Sequence, residues 1–158
     1  MANMTPNQVE IAENGRIYYD LYIKPFDEVT MRQIRFQYDT GADNCLLDIA
    51  ALNRLGYTND WIKTTGEPKK VYTADLKLVE ECFVIKLPNV TIGKHSCTNF
   101  HIVTSLSAKL APLLGLNFIK FCNWFLDYEK AVADFKLIRE IFPIKQGDFG
   151  IHFTQGKI

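Results

Sequence analysis

The stretch Phe36-Gln37-Tyr38-Asp39-Thr40-Gly41-Ala42-Asp43 holds the residues of this chain best suited to chemistry. A strand-forming run leads into Asp-Thr-Gly-Ala, a sequence that can present a carboxylate on a tight loop. A carboxylate so presented can accept a proton and give it back. Gly41 permits a backbone conformation closed to other residues and lets another backbone come close. The Thr40 hydroxyl can tie the loop down through backbone hydrogen bonds. Ala42 is small and leaves room beside the acid. Asp, Thr and Gly are also ordinary turn residues, and the tetrapeptide taken alone favours a plain turn.

Other chemistries find less support. His95, Cys97 and His101 lie close in sequence, as metal ligands can, but the fixed ligand pairs of a zinc ribbon or finger are absent and no metal is expected. His101 with Ser105 and Ser107 could suggest a nucleophile and its base, yet no Gly-x-Ser-x-Gly elbow is present, so these serines read as loop hydroxyls. Cys45 reads as a small buried apolar group, and Trp61, Trp124 and the phenylalanines as core.

The elements that must position Asp39 are mostly strands. Residues 16–23 are rich in strand formers, and residues 29–38 alternate apolar and polar side chains into the aspartate. Residues 25–28 form the loop between them. Asp48 caps a helix over 48–55, with Ile49, Leu52 and Leu55 on one face and Gly56 ending it. Strands follow at 71–73 and 77–87 around the turn Ala74-Asp75-Leu76, then at 90–92 and 100–104. Leu113-Leu114-Gly115-Leu116 leads into a helical turn at 117–121, and strands at 124–128 and 132–138 close the pattern. Many short strands and one short helix predict an all-β, closed, barrel-like domain over residues 1–138. Residues 139–158 read as a C-terminal extension, either dimer-forming or packed on the same domain, with a strand near 149–153.

Leu113 lies 74 positions beyond Asp39, and Trp124-Phe125-Leu126-Asp127-Tyr128 comes soon after it. Taken in this order and spacing, the two pieces resemble the retropepsin-like aspartic proteases, bacterial and transposon-derived branches included, over about residues 30–138. The resemblance implies an acid-protease fold and an aspartic endopeptidase. In it Asp39 is the catalytic carboxylate, Thr40 interlocks with its twin across a dimer interface, Gly41 holds the turn and Ala42 lines the floor. Asp43 falls where viral members hold the substrate backbone, Asn44 beside it at a pocket wall, and Gly115 packs behind the loop. A hairpin from Val71 to Phe83 implies a flap over substrate, with Ala74 and Asp75 at its tip. This tip has no glycine, and Gly66 is the other possible tip. Tyr38 and Gln37 also depart from the small apolar residues usual before the aspartate.

The resemblance implies a homodimer, because the chain carries a single Asp-Thr-Gly and the family needs two carboxylates. Two such groups about 3 Å apart share one proton and together activate a water for attack on a peptide carbonyl. No cofactor enters, and mildly acidic pH is expected to suit the reaction. Two other readings remain open: a non-catalytic dimeric peptide-binding module on the same fold, and an unrelated monomeric barrel in which Asp39 only caps a turn.

Composition narrows the partners. Eighteen basic residues balance 18 acidic ones, so no nucleic-acid footprint is expected, and Lys69-Lys70 reads as a solvated turn. No apolar run reaches the roughly 20 residues of a membrane span. The first residues do not have the pattern of a signal peptide. Four cysteines without Cys-x-x-Cys spacing fit reduced thiols in a cytoplasmic protein.

Overall fold

A computed structural model describes residues 9–93, 95–137 and 152–154. The first strands are β1 (Val9–Glu10), β2 (Tyr18–Ile23) and β3 (Arg32–Tyr38), followed by helices α1 (Ile49–Arg54) and α2 (Asn59–Thr65). Short strands β4 (Glu67–Pro68), β5 (Val71–Tyr72) and β6 (Leu78–Val79) precede β7 (Cys82–Leu87), β8 (Val90–Ile92), β9 (His95–Thr98) and β10 (Phe100–Ser105). The chain then forms β11 (Leu113–Leu114), α3 (Leu116–Ile119), β12 (Cys122–Asp127), β13 (Val132–Leu137) and β14 (His152–Thr154).

Six strands make one sheet in the order β11-β3-β2-β8-β9-β14, and β10-β7-β4 make another run. Leu46 joins them, bridging Val103 on one side and Leu113 on the other. The result is a mostly β, curled half-barrel, in keeping with the all-β, barrel-like domain expected from the pattern of short strands. Strand β2 shows why it curls over a core. Tyr19, Leu21 and Ile23 are buried while Tyr18, Asp20 and Tyr22 point outward, the period of a half-buried strand. Each fully buried leucine or isoleucine contributes about 1.5–3 kcal/mol.

A third sheet, β1-β13-β12, covers the end of the barrel beneath β3 with aromatics. Trp124 packs edge-on against Tyr38 at 4.8 Å between centroids and lies 5.0 Å from Phe135. Its indole N–H donates to the Ile119 carbonyl at 2.8 Å, so the half-buried ring has its polar group satisfied. Tyr38, unusual before the catalytic-type aspartate, is aromatic because it completes this stack.

Several boundaries differ from expectation for local reasons. Strand β3 starts at Arg32, not 29, because Val29 stands 90% exposed in the loop. The expected strand 77–87 breaks at Glu80 and Glu81, where Glu81 takes φ 52° and frees β6 to pair only with β5. Helix α2 was not expected. Thr58 caps it by accepting the Trp61 N–H at 3.1 Å, and Ile62 buries its inner face. Of the C-terminal extension, only 152–154 are described. They form β14, antiparallel to β9 with Phe153 opposite Cys97. The rest of 139–158, and the N-terminal eight residues, lie outside the described residues. No helix among the described residues is long and apolar enough to cross a membrane.

Candidate active site

Asp39 stands where two strands running side by side end together. β11 lies parallel to β3, with Leu113 opposite Gln37 and Leu114 opposite Tyr38. The Asp39 N–H donates to the Leu114 carbonyl at 3.0 Å, which carries the pairing onto the aspartate itself. The loop then turns, with the Ala42 N–H reaching the Asp39 carbonyl at 3.3 Å. On its return Leu46 exchanges two backbone hydrogen bonds with Leu113, at 2.9 and 3.0 Å, and the Val103 N–H donates to the Cys45 carbonyl at 2.9 Å. Residues 39–46 are therefore pinned on both flanks, and a carboxylate on such a loop keeps its position.

The Asp39 carboxylate accepts the Gly41 N–H at 2.8 Å. This bond, rather than the Thr40 hydroxyl, ties the turn, and Thr40 is exposed. Gly41 has no left-handed backbone. Its need is for space, since a Cβ there would stand 3.1 Å from the Asp39 carboxylate oxygen. Gly115 is more constrained. A Cβ at 115 would lie 2.3 Å from the Asn44 carbonyl oxygen and 2.8 Å from that of Ala42. Glycine alone lets the β11–α3 corner press against the loop.

Two side chains behind the loop hold that corner, and neither was singled out for this role from the sequence. Asn117 accepts the Cys45 N–H at 2.8 Å and donates to the His101 carbonyl at 3.1 Å, while its own N–H donates to the Asp43 carbonyl at 3.1 Å. The signal was available: a buried-side asparagine directly after Leu-Leu-Gly-Leu has four hydrogen-bonding sites to satisfy. Cys45 is fully buried, and its sulfur accepts the Gly115 N–H at 3.3 Å. Burial pushes its thiol up to about 12, so it stays protonated and acts as packing.

A cavity of about 650 Å³ opens over the loop. Asp39, Gly41, Ala42, Asp43 and Asn44 line it together, as do Leu46, Leu113 and Asn117. Its other lining is the arm of the β5–β6 hairpin: Lys69, Lys70, Val71, Tyr72 and Ala74. Gly115 lies behind, buried, and does not line it. Asp75 is not brought to the cavity either. Its carboxylate is taken by the Thr73 hydroxyl and by Lys77 at 3.6 Å, and the Thr73 bond above all holds it below the usual carboxylate range. The lysines, read from sequence as a solvated turn, are part of the cavity because the hairpin folds back over the loop.

The hairpin tip explains its missing glycine. The Thr73 N–H donates to the Lys77 carbonyl at 2.9 Å and the Leu76 N–H to the Thr73 carbonyl at 2.9 Å. Leu76 takes φ 62°, the left-handed position that glycine commonly fills. Gly66 serves elsewhere, closing α2 where a Cβ would meet the Ile62 carbonyl at 2.5 Å.

A larger groove, about 950 Å³, lies at the opposite end of β3 beside α1. Its one carboxylate, Asp48, is occupied by the Ala50 and Leu110 N–H groups at 3.1 and 2.9 Å, so size does not make it the reactive site. The serines also stay structural: Ser105 donates to the Glu80 carbonyl at 2.7 Å and accepts the Ala108 N–H at 2.9 Å. Cys97 is buried in the core.

His101 is half-buried, and its Nε2 has no hydrogen-bond partner among the described residues. Burial first, then the Lys86 and Lys69 ammonium groups, hold the imidazole below its usual range, with Glu67 opposing. The unfolded chain, titrating near about 6.5, thus takes up the proton before the folded one does. Stability is expected to fall as pH drops through that value. His101→Gln should lose less stability between pH 7 and pH 5 than wild type in urea denaturation. Equal losses would remove His101 as a cause.

The comparisons with known proteins can now be set beside this geometry. A family profile described as aspartyl protease matches residues 28–118. In structure the chain is similar to a retropepsin-like aspartic protease from Rickettsia conorii. The two are 21% identical, with a TM-score of 0.57 over 81% of this chain and 87% of that one, a likeness of fold. No curated relative matches the chain in sequence.

Proposed function

The chain belongs to the aspartyl protease family, and from that membership we propose that it is an aspartic endopeptidase active as a homodimer. The observation that carries this reading is the Asp39 carboxylate, pinned on the chain's one Asp-Thr-Gly loop, which lines a cavity under a hairpin. One such loop per chain supports a two-fold pair, in which Asp39 and Asp39 of the partner subunit form the dyad. Thr40, exposed beside Asp39, is free to make the contact between subunits.

In this reading the two carboxylates share one proton. The ionised one takes a proton from water as that water attacks the peptide carbonyl. The protonated one donates to the developing oxyanion and then to the leaving nitrogen. Gly41 and Ala42 leave space for the reacting group, Asp43 holds the substrate backbone, Asn44 walls a side-chain pocket, and Gly115 backs the loop. The β5–β6 hairpin closes over substrate and excludes water, with Ala74 on its inner side. The chemistry calls on no cofactor. Four buried cysteines, with no Cys-x-x-Cys spacing among them, support a cytoplasmic setting.

The test is hydrolysis of a mixed peptide library between pH 4 and pH 7, across a range of protein concentrations, with and without a pepstatin-type inhibitor. Inhibitable cleavage whose activity per subunit rises with concentration is expected. Cleavage by a species that sediments as a monomer at every concentration would rule out the shared dyad. A stable dimer that binds peptides and cleaves none would favour the non-catalytic binding module.

A further inference from the structure

Lys69 and Lys70 line the same cavity as Asp39 and Asp43. They sit at the root of the hairpin, between β4 and β5, where the Lys69 N–H donates to the Cys82 carbonyl at 2.9 Å. Their backbone is thus fixed to the sheet while both side chains are exposed. The ion pairs among the described residues are Arg32 with Glu28 and Lys77 with Asp75, so neither lysine is neutralised by a neighbouring carboxylate. Lys120 adds a third cation to the lining. Opposing them are Asp43 and, in the proposed dyad, two carboxylates that share one proton. Lys69 and Lys70 thus stand beside an apolar part made by Leu46, Val71 and Leu113.

We propose that this cleft selects peptides with an acidic side chain near an apolar cleavage point, and that Lys69 and Lys70 recognise the acid. The inference rests on the protease reading and adds a substrate class to it. An incoming Glu or Asp meets the Lys69 and Lys70 ammonium groups, which pair with no carboxylate among the described residues. An incoming Lys or Arg meets like charge and must leave water to do so. Both lysines are exposed, so each contact is of the surface kind, and the pair is expected to change affinity about fivefold.

The probes are two pools of fluorescein-labelled dodecapeptides with randomised apolar residues at the centre. One pool carries Glu and the other Gln at the flanking positions. Hydrolysis is measured at pH 6, where peptide Glu is ionised, and binding is measured by anisotropy on the Asp39→Asn protein. The Glu pool is expected to be cleaved and bound about fivefold better in low salt, an advantage that shrinks in high salt. In Lys69→Gln/Lys70→Gln the Glu-to-Gln ratio should approach one. That ratio is internal to each variant and does not depend on how much protein is folded. Equal treatment of the pools by wild type, or an advantage that survives the double substitution, would overturn the proposal. Preferential binding of the Glu pool without any cleavage would instead sink the protease reading and leave this one standing. A wild-type protein that cleaves both pools alike would do the reverse.

Discussion

Asp39→Asn is expected to lower peptide hydrolysis at least about a thousandfold while leaving the fold in place. The substitution keeps the shape and the one side-chain hydrogen bond that Asp39 makes among the described residues. The Asn side-chain oxygen can still accept the Gly41 N–H that Asp39 accepts at 2.8 Å, so the turn is retained. What disappears is the capacity to ionise, take a proton from water and return it. The rest of the loop is held by backbone bonds from Leu114, Leu113 and Val103 that the side chain does not touch. A thermal midpoint near that of wild type should therefore accompany the lost activity. Because each active unit needs both carboxylates, excess Asp39→Asn protein should also suppress wild-type activity by forming mixed dimers. Residual cleavage at the wild-type rate would take Asp39 out of its role. Full loss without suppression by the mixed protein would keep the acid and remove the shared dyad.

Gly115→Ala should have the largest effect on stability, destabilising the chain by about 3 kcal/mol or more. The added Cβ would stand 2.3 Å from the Asn44 carbonyl oxygen, 2.4 Å from its carbon and 2.8 Å from the Ala42 oxygen. All three are backbone atoms and cannot rotate away as a side chain could. The chain around them is also tied: the Leu116 N–H donates to Ala42 at 2.8 Å and the Asn117 N–H to Asp43 at 3.1 Å. Relief must come from separating β11 and α3 from the loop, which breaks those bonds and moves Asp39. A fall of about 10 °C or more in thermal midpoint is expected for a chain of this length. Activity should fall with it even where the variant remains folded. A midpoint within 2 °C of wild type would show that the corner yields easily and that Gly115 is not required for close packing.

The structure also separates two kinds of glycine that look alike in the sequence. Gly41 and Gly115 both belong to the motif, yet the first meets only the end of its own neighbour's carboxylate and the second meets two carbonyls. The distances that distinguish them arise between Gly115 and two residues far before it in sequence, Asn44 by 71 positions and Ala42 by 73. The left-handed Leu76 is a converse case. Its turn uses a conformation that composition alone assigns to glycine, and the hydrogen bonds of Thr73 stabilise it locally.

Much of the scaffold was written in local patterns. Strand-forming residues in 16–23 and alternation in 29–38 marked β2 and β3, because each has one face on the core, and Asp48 with Gly56 marked α1, because capping is a short-range interaction. The Asp-Thr-Gly-Ala loop and its Leu-Leu-Gly partner were legible as residue types in order. Helix α2 was not, since Thr58 and Ile62 act through a single cap and a single buried contact. The cavity lining was not legible either. Lys69, Lys70 and Tyr72 line the cavity with Asp39 only because the hairpin folds back, and Asn117 ties Cys45 to His101 only because α3 packs behind the loop. Asp75, equally polar and equally close to the tip in sequence, is left outside because Thr73 and Lys77 hold its carboxylate. Residue order was thus enough to name the acid, its loop and the strands around it, which depend on neighbours along the chain. Which charges surround that acid, and which glycine can bear no side chain, depend on distances between remote segments that exist only once the sheet has curled.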